Sequence, residues 1–164
     1  MLFGNPDEVF LTLSQMHVKV LRVTLWWSGP AISVATRRPA DAADPADPAY
    51  RWDTYDRTAS FAKKYGIKLM FTILGTPKWA NGNKGWNVAP TDPADLQAFA
   101  TAAAKRYSGR YVPPGGIRLG AVKLWLAWNE PNNPVFLKPQ YVQRGGIWEI
   151  QSAVDYARIC NAVV

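Results

Sequence analysis

The segment WNEPN, residues 128–132, sets an amide, a carboxyl and a proline directly behind the apolar run KLWLAW. The only glutamates are Glu8, Glu130 and Glu149. A carboxyl at the mouth of an apolar strand, beside Trp128, is expected to be partly dry, and drying favours the protonated form. Such a group can hand a proton to a departing oxygen and then take one from water. Asn129, next to it, adds an amide able to hold a hydroxyl.

Other residues of useful chemistry fall near the ends of apolar runs. Trp26 and Trp27 close one run, and Trp79 and Trp86 lie in the loop behind the next. Sugars present apolar C–H faces that stack on indoles, and hydroxyls that need amides and carboxylates. Trp27, Trp79, Trp128, Asn129, Arg22 and Glu130 are therefore the residues expected to bind a carbohydrate substrate, with Glu130 catalytic. Arg22 lies inside an apolar run, where a charge is expensive unless paired. It shares parity with Thr24 and Trp26, so the three can face one side. Two readings of Arg22 stay open: a buried structural ion pair, or a guanidinium that holds a catalytic carboxylate. Trp52 and Trp125 read as core or loop support.

Positioning these groups requires a folded frame. With 164 residues, 48% hydrophobic and 19% charged, the chain is long enough for one domain and one core and reads as globular, not disordered. No apolar run is long enough to span a bilayer, so no membrane partner is expected. No signal peptide is visible at the N-terminus. The net charge of +7 is scattered. Lys63, Lys64, Lys105 and Arg106 fall in the last turns of predicted helices, which reads as solvated surface and not as a nucleic-acid face. One cysteine, Cys160, excludes an internal disulfide, and one histidine, His17, leaves no His/Cys metal site. No metal or cofactor is expected, and His17 reads as structural or surface.

Periodicity predicts helices over 4–16, 53–66, 91–109 and 151–164, the first and third opened by Asn5 and Asp92 ahead of a proline. Leu96, Phe99, Ala100, Ala103 and Tyr107 form the apolar stripe of the third. Strands are predicted over 18–27, 67–75 and 121–128. A hairpin is expected over 141–150, turning at Gly145-Gly146. Residues 28–49 read as a surface connection. Near-continuous apolar strands between amphipathic helices imply a parallel sheet with helices outside. No glycine-rich nucleotide turn follows any strand. Long loops with polar and aromatic residues follow instead, the habit of a (β/α) barrel that works at its C-terminal rim. The expected fold is α/β, a partial (β/α)8 TIM barrel holding about strands 2–4 with helices 1–4.

Trp128 to Asn132 resembles the fourth-strand acid/base motif of the clan A retaining glycoside hydrolases, which are TIM barrels. The nearest likeness is to the β-xylosidase and α-L-iduronidase types, with cellulase types close behind. The resemblance implies a retaining O-glycosyl hydrolase of β-linked poly- or oligosaccharides. It assigns general acid/base to Glu130, the 2-hydroxyl contact to Asn129, support of the nucleophile to Arg22, and an aromatic near the sugar to Trp79. It also implies that residues 1–164 are the N-terminal portion of one barrel domain, truncated at both ends and secreted as part of a longer chain. Retaining hydrolysis needs a second carboxyl about 5–5.5 Å from the first. Glu8, in a helix first turn, and Glu149, in the hairpin, lack a strand-end setting, so the nucleophile is expected outside this sequence. The isolated piece is expected to be inactive or nearly so, and to self-associate through exposed sheet edges. The alternative is a non-catalytic carbohydrate-binding half-barrel.

Overall fold

The computed structural model describes residues 5–163. Helix α1 (Pro6–Gln15) starts where Asn5 accepts from the Asp7 amide and Pro6 fills a position needing no donor. It ends before His17, which is exposed with φ 59°. Strand β1 (Val20–Trp26) follows. Helix α2 (Asp53–Lys64) and strand β2 (Lys68–Leu74) form the next unit. Helix α3 (Pro93–Arg106), capped by Asp92 through the Ala94 amide, leads to β3 (Leu124–Ala127). The chain then makes a small ribbon, β4 (Val142–Arg144) with β5 (Ile147–Glu149), and closes the described region with α4 (Gln151–Val163). Gly145 and Gly146 turn the ribbon with φ 56° and 84°, the left-handed pair that a two-residue hairpin loop requires.

β1, β2 and β3 form a parallel sheet in that order, with Arg22 opposite Met70 and Thr72 opposite Leu126. Parallel neighbours joined through helices give the α/β arrangement expected, and among the described residues the sheet is open, not closed into a barrel.

The two faces of the sheet differ sharply. Val23, Leu25, Leu69, Phe71 and Ile73 are buried on the helix side. There Phe71 packs edge-on to Tyr55 and Tyr107. Burying such side chains contributes about 1.5–3 kcal/mol each. The intervening residues form the other face, where Val20, Leu124 and Leu126 keep 44%, 37% and 38% of their surface exposed. Three strands are too few to close on themselves, so this apolar face stays open to solvent.

Two expectations are corrected by packing. Residues 28–49 do not merely cross the surface. Val34 and Ala35 fold back, donating to the Trp26 and Trp27 carbonyls, and Ala35 bridges Tyr50. Arg106 is not solvated either. It is buried, paired with Asp56 at 2.5 Å, and lies over Trp52 and Tyr111. A cation at a helix end looks identical in sequence whether it meets water or a carboxylate from another helix.

Candidate functional site

The residues of interest lie at the C-terminal ends of the strands, except Arg22, which reaches there from within β1. Arg22 points from the open face of β1, donating through Nε to the buried Thr72 hydroxyl at 2.8 Å. Its Nη2 donates to Asn129 Oδ1 at 2.6 Å. The reading of Arg22 as a buried structural ion pair is corrected. Arg22 is exposed, and its recorded partners are a hydroxyl and an amide, not a carboxylate. A guanidinium bonded to an amide oxygen makes a strong charge-assisted contact.

Asn129 and Glu130 follow from an unusual backbone. Trp128 still donates its amide to the Ile73 carbonyl, prolonging the ladder by one residue. Its φ is then 67°, and that of Glu130 is 38°. Side-chain-bearing residues rarely adopt this left-handed region, which costs of order 1–3 kcal/mol each. The turn buries Trp128, whose indole donates to the Phe136 carbonyl at 2.8 Å, and leaves Glu130 exposed. The expected drying of the Glu130 carboxyl by Trp128 is therefore absent here. Asn133 donates to Glu130 Oε2 at 3.2 Å.

Of the predicted residues, the structure brings Arg22 and Asn129 into direct contact, and Glu130 follows Asn129 in the chain. The structure buries Trp27 and Trp128. Trp27 is fully buried, stacked on Phe99 with centroids 5.6 Å apart, and is corrected to a core residue. Trp79 is half-buried; it meets Trp27 edge-on at 5.7 Å, and the Arg38 guanidinium lies 5.2 Å from its ring. Trp128 supports the loop from below. Trp52, as expected, is core.

Three further aromatics lie together: Trp26 and Trp86, noted in the sequence but left out of the expected binding set, and Phe136, which the sequence reading did not single out. Trp26 ends the open-face row that begins at Arg22. It meets Trp86 edge-on at 5.2 Å, and Trp86 meets Phe136 at 6.5 Å. All three are half-buried, so part of an aromatic row remains at the rim. The parity shared by Arg22, Thr24 and Trp26 was the signal that could have found the first.

The rim loops behind β2 and β3 are joined. Asn87 donates to the Pro134 and Val135 carbonyls, and its own carbonyl accepts from the Lys138 amide at 2.8 Å. Gly75 starts the first of these loops at φ 86°, and a Cβ there would run into the Ser28 carbonyl.

The other glutamates are placed elsewhere. Glu8 is in the first turn of α1. Glu149 sits on the ribbon and pairs with Arg144 at 2.8 Å. No cluster of three or more metal-ligating side chains occurs among the described residues, and none of their helices is long and apolar enough to cross a membrane.

No family model matches this chain, and no curated protein does. Solved structures do. A glucosidase from Croceicoccus marinus superposes with a TM-score of 0.65 at 15% identity, covering 94% of this chain and 29% of that one. A family 39 glycoside hydrolase from Bacteroides cellulosilyticus WH2 aligns over 78% of this chain and 22% of its own, at 21% identity and a TM-score of 0.48. The likeness to the glucosidase is one of fold. The chain has the architecture of part of that enzyme and spans under a third of its length.

Proposed function

We propose that this chain is part of a retaining glycoside hydrolase acting on β-linked poly- or oligosaccharides, and supplies its acid/base half. The observation that carries the reading is the Arg22–Asn129 hydrogen bond, set across the strand ends beside Glu130. In this proposal the sheet is about strands 2–4 of an eight-stranded barrel. Glu130 protonates the leaving oxygen and then activates water. Asn129 holds a sugar hydroxyl, Arg22 fixes Asn129, and Trp26 with Trp86 offers the apolar surface. The nucleophilic carboxylate comes from outside these 164 residues. The glucosidase fold supports this reading, as does the left-handed backbone that presents Glu130.

The test uses the natural polypeptide that carries this sequence. Glu130→Ala should cut hydrolysis of unactivated β-glycosides by about 100-fold or more. Added azide should restore turnover of activated substrates and give a glycosyl azide of retained β configuration. Unchanged hydrolysis by the variant would remove Glu130 from the reaction. The exposure of Glu130 favours a second reading, a carbohydrate-binding part without chemistry. It predicts sugar binding, no turnover, and no effect of Glu130→Gln.

A further inference from the structure

The ribbon between β3 and α4 carries two unlike faces. Cross-strand pairs place Arg144 with Ile147 and Val142 with Glu149 on one side, and Gln143 with Trp148 on the other. Tyr141 and Ile150 continue the second side by parity. The first side is anchored. Arg144 bonds both Glu149 and Gln151, and Gln151 donates to Asp155 inside α4. The second side presents Tyr141, Trp148 and Ile150 to solvent, exposed at 60%, 67% and 58%, while on the first side Ile147, at the turn, is exposed at 70%. An indole, a phenol and an isoleucine bared together on an anchored ribbon mark a contact surface.

Position narrows that partner. The ribbon follows the strand end that bears Glu130, so it stands on the same rim. Ile150 shares a shallow groove with Pro131 and Asn132 of the WNEPN turn. Gln140 ties the ribbon's base to that turn by donating to the Pro131 carbonyl at 2.9 Å. Aromatic side chains bury about 150–250 Å² each. One indole, one phenol and one isoleucine therefore fall well short of the roughly 800 Å² per partner that a stable protein interface uses. An indole and a phenol flanking the Gln143 amide suit a sugar ring, with an apolar face and a rim of hydroxyls.

We propose that Trp148, with Tyr141 and Gln143, is a binding platform for a sugar unit of a longer β-linked chain, beyond the units held at Asn129 and Glu130. This rests on the function proposed above. The protein would then favour oligosaccharides over disaccharides.

The test is calorimetric titration of the natural polypeptide that carries this sequence, with turnover blocked by Glu130→Gln, using β-linked gluco- and xylo-oligosaccharides of two to six units. Trp148→Ala should weaken the longest ligands by up to about tenfold, as an aromatic contact of this size allows, and leave disaccharides unchanged. Asn129→Ala should weaken all lengths. Tyr141→Ala is a second, smaller probe of the same face, and sedimentation runs alongside. Disaccharide binding that needs Asn129, with no length-dependent loss in either aromatic variant, overturns the platform and leaves the proposed function standing. Self-association of the Glu130→Gln parent that is lost in Trp148→Ala, without a length-dependent change in sugar affinity, overturns the platform in favour of a protein contact. No sugar binding by the Glu130→Gln parent overturns both.

Discussion

Arg22 on β1 reaches over β2 to Asn129 behind β3, donating to its amide oxygen at 2.6 Å and gripping Thr72 on the way. Neighbouring strands lie about 4.8 Å apart, so this one side chain bridges two strand spacings. The contact also orients Asn129. With the oxygen engaged, the amide NH2 is the end left for a ligand, and it selects acceptors such as hydroxyl oxygens. Arg22→Ala should lower oligosaccharide affinity about tenfold, the worth of a hydrogen bond to a charged group. Folding stability should fall by no more than about 1 kcal/mol, because Arg22 is exposed. Arg22→Lys should not rescue binding, since a single ammonium does not reproduce the fork. Titration and thermal melts on the three proteins check this; equal affinities would refute it.

The Arg106–Asp56 pair should be a main support of the helix layer. Arg106 also donates to the Pro45 carbonyl, and Tyr107 donates to Asp56 at 3.0 Å. Burial, with the Asp56 charge beside it, pushes the Tyr107 phenol well above its ordinary range, so it stays a neutral donor. Asp56→Ala strands a buried guanidinium and should cost about 3 kcal/mol. The melting temperature should drop by about 10 °C. A drop of only a degree or two would mean that water replaces the carboxylate freely.

Asp47 gives the fold an acid-sensitive point. Burial opposes its charge. The backbone amides of Ala49, Asp41 and Ala40, helped by Arg37, outweigh that and hold its carboxyl below the usual value. A depressed carboxyl stabilises the fold fully above its unfolded value of about 3.9, and the contribution is lost as pH falls through the folded value. Asp47→Asn should therefore be less stable than the native chain at pH 7, with the gap closing below about pH 4. Denaturant melts across that range test the sign, and a gap constant with pH would refute it.

Gly75 stands where β2 enters its rim loop. Gly75→Ala combines φ 86° with a collision at the Ser28 carbonyl. A loss of about 2 kcal/mol or more is expected in urea unfolding. A neutral result would show that the 28–35 segment shifts easily.

The elements were legible because their local signals agree. Asn5-Pro6 and Asp92-Pro93 start α1 and α3, and Gly145-Gly146 turns the ribbon where expected. Glu130, Asn129 and Arg22 were singled out because a polar residue against an apolar run stands out, and the structure joins Arg22 to Asn129. Trp27 was misassigned for the opposite reason. Trp26 and Trp27 are adjacent and chemically identical, and one residue of strand parity separates the rim from the core. The burial of Arg106 and Val34 depends on partners about fifty and eight residues away. No local pattern encodes such pairings.

The left-handed backbone at Trp128 and Glu130 has a last consequence. Glycine would sit there more comfortably than either side chain. A library screened for firmness alone should return Glu130→Gly with a raised unfolding midpoint. The winners of such a screen would have discarded the carboxyl itself.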